Sequence, residues 1–535
     1  MSSESGERPL LPTTVGGSAW SSAQSICARA CSLATSVVLA RTLSQADYGL
    51  SAEAAATGTM LAVTMPGCMV DVLVSRWSSG KSDPASAARA ARVAGLIAAA
   101  TIGAVALVLA LWTPDGWLPW LLLLFAVRPI AESALVVPVA ALRSQFRFRE
   151  IAIIDSIAAI SAAVLGILLA FLKAGPLALA APPVAMLATR AVLSRNRAGT
   201  RGAGQPSRTE VSGILGSYAL ASIAQYLHGL VVTADVLVLS WMSTPESVGF
   251  YVFAMSLAMQ AHSVFVLQLS STLQPIYASL NRDPSRQFDA VWRTIRCMSA
   301  VALPLAASQV VIGGCLIRLV FGERWEGAAP IYAVSCVTMA LGAGAAPLMA
   351  LIKARGDFRF FTAWQAIQLG ITTIACVAAC AGDHAGWIVD SLEIEGAQAA
   401  TRAPIAVALV VALVWFVSMP FAIRLGRYTP TIGAAIASLG LLRPGIASMG
   451  LAIVGTWVVG SVRAGLPATW ADIVSVVVVG PSVFALGIAA AMASDRRVRS
   501  DAFAIMGRVG GRLRSFRGSP TEAAPSTKGG ERCEC

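Results

Sequence analysis

The sequence predicts an all-α polytopic membrane protein with about fourteen transmembrane helices. Three observations carry that expectation: charged residues are scarce, apolar runs of membrane-spanning length recur along the chain, and basic residues gather in every second loop. Of 535 residues, 56% are hydrophobic and 13% charged, against about 25% charged in a soluble domain. Apolar stretches near the roughly 20 residues that a helix needs to cross a bilayer continue to about residue 492. Strand-type alternation does not recur, so the spans read as helices.

In order, the runs predict spans near 16–39, 48–72, 89–112, 118–142, 150–172, 176–193, 212–239, 248–270, 295–319, 328–352, 360–380, 397–423, 444–463 and 469–492. Pro and Gly fall inside several of them, which a membrane helix tolerates when neighbouring helices satisfy the freed backbone. With the N-terminus in the cytoplasm, the inner loops hold most of the 40 Lys and Arg. Arg143, Arg147 and Arg149 follow span four, and Arg195, Arg197, Arg201 and Arg208 follow span six. The outer loops hold only Arg41, Lys173, Arg318, Arg324, Arg402 and Arg463. This alternation is the positive-inside pattern. It supports the helix count and the orientation together, because one missed helix would invert every later loop.

The net charge of +12 therefore reflects membrane topology and does not point to nucleic acid. Residues 1–13 are polar with two Glu and lack a basic n-region, so no cleavable signal peptide is expected and both termini are placed in the cytoplasm. The ten Cys form no Cys-x-x-Cys pair or Cys/His ligand set, and no metal site, cofactor or structural disulfide is expected. No Asp-x-Asp occurs, no outer loop is large, and no P-loop is present, so neither a glycosyltransferase nor an ATPase is favoured and no catalytic residue is assigned.

Punctuation recurs along the chain. Ser44 to Gly49 and Thr244 to Gly249 lie 200 positions apart, each a short polar loop leading to a Gly that opens a helix. Asp83 and Pro84 return as Asp283 and Pro284, and Phe146, Arg147, Phe148 return as Phe358, Arg359, Phe360. The order predicts two homologous six-helix lobes in parallel orientation, followed by two extra helices. The expected units are residues 1–210 with a basic linker, 211–443, helices 13 and 14 over 444–493, and a basic flexible tail over 494–535.

The same punctuation carries a resemblance. Ala40, Arg41, Thr42, Leu43, Ser44 to Asp47, Tyr48, Gly49 resembles the first outer loop of bacterial polysaccharide exporters, the Wzx-type flippases of the multidrug/oligosaccharidyl-lipid/polysaccharide (MOP) superfamily. Ala141, Leu142, Arg143 to Phe146, Arg147, Phe148 is similar, as are Ala234, Asp235, Val236 to Val248, Gly249, Phe250, Tyr251, and the run Phe321 to Ala328. The resemblance implies two bundles facing each other in a MATE-like V and export of undecaprenyl-pyrophosphate-linked oligosaccharide across the bacterial inner membrane. It implies membrane lipids, a polysaccharide polymerase and glycosyltransferases as partners. A drug/cation or other small-molecule antiporter of the same superfamily is the alternative.

Charges inside hydrocarbon mark functional candidates. Arg29 lies well inside span one on a stripe of Ser18, Ser22, Ser25, Ser32 and Ser36, whose spacing of 3 and 4 puts all of them on one helical face. Arg128 lies inside span four. Guanidinium groups suit phosphate because they stay charged and donate in a fork, so both are candidates for the substrate headgroup. Alternatively each is neutralised, Arg29 by Glu53 and Arg128 by Glu132, one turn away. Glu53 and Glu132 are also candidates for a coupling ion, a proton or Na⁺. Tyr218, Gln225 and Gln260 suit sugar binding or interhelical hydrogen bonding. His228 and His262 read as packing residues ahead of proton relays, Asp235 as a residue near a span end that caps a helix or faces water, and Trp325 as an interfacial anchor ahead of a recognition site. The acidic loop from Asp383 to Glu395 reads as outward facing.

Overall fold

A computed structural model describes residues 10–64, 66–70, 73, 84–113, 116–145, 147–198, 207–280, 283–355, 357–384, 399–425, 442–494 and 499. Fourteen helices and no strand occur among them. They are α1 (Leu10–Thr42), α2 (Gln45–Leu61), α3 (Pro84–Trp112), α4 (Trp117–Ser144), α5 (Phe148–Phe171), α6 (Leu177–Ala198) and α7 (Arg208–Met242). There follow α8 (Pro245–Ser279), α9 (Pro284–Phe321), α10 (Ala329–Ala354), α11 (Phe358–His384), α12 (Arg402–Leu425) and α13 (Leu442–Gly465). The last, α14, runs as Ala468–Val474, a π-helical turn Ser475–Val479 and Gly480–Ser494.

Ten helices among the described residues are long and apolar enough to cross a membrane, and Arg402–Val417 is a shorter apolar helix. Their outward faces expose Leu111, Val164, Phe171, Ile374 and Trp457, a surface suited to lipid and unsuited to water.

The six-helix repeat read from the punctuation reappears in the packing. α1 packs on α5, α2 on α4, α3 on α4, α4 on α6 and α5 on α6; adding six to each number gives the second set of packed pairs. Two lobes, α1–α6 and α7–α12, thus have the same internal plan, and α13 and α14 pack on α9 outside both. The lobes meet through α2 and α8, α2 and α7, and α3 and α7.

Local chemistry fixes the ends. Ser44 caps α2: its hydroxyl accepts from the Asp47 N–H, and the Asp47 carboxylate accepts from the Ser44 N–H at 2.9 Å. Asp283 caps α9 by accepting from the Arg286 N–H at 3.1 Å, with Pro284 in the first turn. That cap explains why α9 begins eleven residues before the predicted span at 295: hydropathy sees only the apolar part, whereas the capped polar turns continue the helix.

Span two differs from expectation. The unbroken helix predicted over 48–72 stops at Leu61, and a 3-10 turn, Pro66–Cys68, leads into helical residues at 69–70 and 73. Pro66 has no N–H and disfavours helix at the residue before it. The Leu61 carbonyl freed by the break accepts from the Thr101 hydroxyl at 2.8 Å, and Thr64 donates to the Ala94 carbonyl at 2.6 Å, so α3 satisfies the interruption.

Candidate functional site

Between the lobes, the stripe on α1 faces α8. Arg29 Nη1 donates to the Gln260 backbone carbonyl at 3.2 Å, and the Gln260 side-chain amide donates to Ser32 Oγ at 2.6 Å. One residue of α8 is therefore held twice by one face of α1. Ser32 is exposed and Ser25 and Arg29 are partly exposed, so this contact is not packed shut. The side chains of Ser18 and Ser22 lie outside the described residues. The expected pairing of Arg29 with Glu53 does not form: α1 packs against α5, and Glu53 on α2 is half-buried with no ion pair among the described residues.

A second cluster lies inside the first lobe. Arg128 Nε donates to Glu132 Oε1 at 2.9 Å, while 48% of the Arg128 side chain and 20% of Glu132 stay exposed. The pair lines a cavity of about 90 Å³ with Thr59, Thr64, Ile102 and Phe125, directly beside the break in α2. Pro129 within α4 removes one intrahelical donor at this depth. A broken helix, a prolyl helix and an ion pair thus meet around one cavity, where irregular backbone is tolerated inside a membrane protein.

The other candidates are dispersed. Tyr218 is buried in the seam of α3, α4 and α7 with Ala87, Ala94 and Ile214, so it contributes packing there. Gln225 is half-buried on α7, and its neighbour Tyr226 donates to the Met60 carbonyl across the seam at 2.6 Å. His228 meets the Gln365 amide at 2.7 Å, and His262 lines a small cavity with Gln309 and Cys336.

Asp235 and Trp325 lie in surroundings other than those expected. Asp235 does not face water: it is buried and accepts from the Tyr251 hydroxyl at 2.5 Å and the Val236 N–H at 2.8 Å. Trp325 is not an interfacial anchor: it is fully buried, stacked on Phe253 at 4.1 Å and edge-on to Tyr48 at 5.0 Å, and its indole N–H donates to the Ala40 carbonyl at 2.8 Å.

That tryptophan centres a seal that joins the lobes at one end. Arg324 donates to the Ala40 carbonyl, Arg41 Nε to the Val320 carbonyl at 2.9 Å and Gln45 to the Arg324 carbonyl at 2.8 Å, while Phe250 and Phe321 complete the aromatic cluster. The opposite end bears Arg143, Arg147, Arg149, Arg190, Arg195 and Arg197 among the described residues; Arg190 pairs with Asp155 at 2.7 Å and Arg147 with Glu150 at 2.6 Å. The linker at 199–206, the acidic loop at 385–398 and residues 500–535 of the tail lie outside the described residues.

The seal is also where the decisive comparison falls. A family model described as "Polysaccharide biosynthesis protein" matches residues 38–330, from the end of α1 through the buried tryptophan turn. The chain belongs to that polysaccharide biosynthesis family. A comparison with curated proteins finds no match. Among solved structures, this family member resembles "Lipid II flippase MurJ, inward closed conformation" with a TM-score of 0.62 at 13% identity, over 87% of this chain and 97% of that one. It also resembles the inward-facing conformation of a multidrug resistance MATE family transporter of the MOP superfamily, with a TM-score of 0.53 at 14% identity, over 75% of this chain and 96% of that one. At these identities the likeness concerns the fold alone, the two-lobed fold of those two transporters. The chain is a multi-pass membrane protein.

Proposed function

We propose that this protein is an inner-membrane flippase that moves undecaprenyl-pyrophosphate-linked oligosaccharide from the cytoplasmic to the periplasmic face by alternating access. The basic end then faces the cytoplasm with both termini, and the sealed end faces the periplasm, as the positive-inside rule requires. The units at 1–210 and 211–443 rock against each other, and the basic segment from 494 onward lies against anionic lipid.

The observation that carries this reading is the partly exposed arginine-serine stripe of α1 at the contact between the lobes, where Arg29 donates to the Gln260 carbonyl. A guanidinium stays charged at any physiological pH and can donate in a fork to a phosphate. A diphosphate in the hydrocarbon slab faces a desolvation cost of many kcal/mol unless cationic donors replace its water. Arg29 supplies such donors, with Ser25 and Ser32 beside it, and Arg128 adds a second cation in the first lobe. Gln225 and Gln260 offer amides to the sugar, and the headgroup crosses between the lobes while the prenyl tail remains in lipid. Glu53 and Glu132 are the carboxylates available to a coupling proton or Na⁺. Family membership supports polysaccharide assembly as the setting, with a polymerase and glycosyltransferases acting on the same substrate.

The test is Arg29→Ala at wild-type expression. Lipid-linked oligosaccharide accumulates on the cytoplasmic leaflet and polymer export falls at least tenfold. Undiminished export removes Arg29 from the pathway. Drug efflux by the wild-type protein, with no lipid-linked intermediate retained in the mutant, favours the antiporter reading instead.

A further inference from the structure

The appended helices α13 and α14 belong to neither lobe, yet their ends reach the seal. Asp472 on α14 is buried, with 4% of its side chain exposed, and both its oxygens are occupied by cations from other helices. Arg318, in the last turn of α9, donates Nε to Asp472 Oδ2 at 2.9 Å, and Arg463, in the last turn of α13, donates Nη2 to Oδ1 at 3.1 Å. A buried carboxylate is strongly unfavourable without such partners. Arg318 does more than neutralise it: its Nη1 also lies 3.2 Å from Glu326. Glu326 belongs to the 3-10 turn Glu323–Ala328, the turn that presents Arg324 and Trp325 to the Ala40 carbonyl of the other lobe. The turn leaves α9 through Gly322 in a left-handed conformation, φ 97°, so its direction is not dictated by continuation of the helix.

We propose that α13 and α14 act as a strut for the seal: Asp472, itself held by Arg463, holds Arg318, and Arg318 holds the Glu323–Ala328 turn in the position from which it clasps the first lobe. Asp472, Arg318 and Glu326 are positioning residues. The strut has a role in the transport cycle only if the lobes part at this end, so that consequence rests on the proposed function; the mechanical link itself does not.

Hydrogen–deuterium exchange of the full chain in lipid nanodiscs tests it without a transport readout. Two variants are compared with wild type. Glu326→Gln cuts the link at an exposed residue and leaves Arg318–Asp472 in place; Asp472→Asn cuts it at its buried root. Exchange in 39–49 of the first lobe and in 322–329 is expected to quicken about two- to fivefold in Glu326→Gln, the scale of an exposed ion pair, with 466–475 unchanged. In Asp472→Asn all three segments quicken, 466–475 most. A rise confined to 318–329 and 466–475, with 39–49 as protected as in wild type in both variants, overturns the proposal. No change at all in Glu326→Gln overturns it equally, even if Asp472→Asn unfolds. Export in Arg29→Ala is read in a separate assay, so failure of the transport reading leaves this result standing.

Discussion

Gly49 packs directly against the backbone carbonyl of Pro245: a Cβ built on that glycine would lie 1.7 Å from the Pro245 oxygen. The same contact occurs a second time with the lobes exchanged, because a Cβ on Gly249 would lie 1.9 Å from the oxygen of Gln45. Gly49 and Gly249, like Gln45 and Pro245, are 200 residues apart. Helices α2 and α8 therefore cross at their first turns through a reciprocal, side-chain-free contact. Gly49→Ala and Gly249→Ala are each expected to drive the two backbones apart and destabilise the sealed state by about 1–3 kcal/mol, as overpacking does. Raised labelling of an engineered thiol at Gln45 from the sealed side measures the effect; labelling equal to the same thiol in the parent background would show that the crossing tolerates a methyl.

Trp325→Ala is expected to cost about 3–5 kcal/mol, the usual range for removing a large buried aromatic, because the ring is enclosed by Tyr48, Phe250 and Phe253 and also loses its bond to Ala40. Trp325→Phe keeps part of the stacking and loses the indole donor, so it falls between the two. Thermal unfolding in detergent checks the order wild type, Phe, Ala.

Arg128 and Glu132 separate by a double-mutant cycle. The pair is partly exposed, so its loss changes stability by at most about 1 kcal/mol. If Arg128 serves the substrate, Arg128→Ala and the double variant Arg128→Ala/Glu132→Ala lose export to the same degree. Recovery of export in the double variant would instead assign Arg128 to neutralising Glu132.

Asp283 lies outside the membrane-spanning part of α9 and is fully solvent-facing. The Ser285 hydroxyl and the Arg286 N–H hold its carboxyl below the ordinary 3.8. A lowered folded value means the cap contributes above the unfolded pKa and is lost as pH falls through the folded one. The difference in melting temperature between wild type and Asp283→Ala is thus expected to be full near neutrality and to vanish in strong acid. A difference that stays constant with pH would show that the charge of the cap is immaterial.

The helix count and the twofold plan are legible in the sequence because they rest on local signals, hydropathy runs and loop punctuation, that each lobe repeats. The stripe around Arg29 is legible for the same reason, since a spacing of 3 and 4 defines a face whatever lies opposite. What lies opposite is not. Arg29 meets Gln260 and not Glu53 because α1 turns toward α5 and α8, a choice made by long-range packing. Trp325 reads as an anchor in a short polar loop, and only the folded chain reveals Tyr48 and Phe253 arriving from distant helices to enclose it. Asp472 gives no local signal at all, because its partners Arg318 and Arg463 belong to two other helices.

The interruption of α2 at Leu61 also bears on how force is carried through the molecule. A continuous helix is a stiff rod, and tilting it at one membrane face displaces its other end. Here the upper rod is fastened to α8 through the glycine crossing, whereas Met69, Val70 and Leu73 beyond the gap are fastened among α3, α4 and α7. With the break at 62–64 between them, the two pieces are anchored separately, so a tilt of the upper piece is not passed on to the lower one as it would be along an unbroken helix.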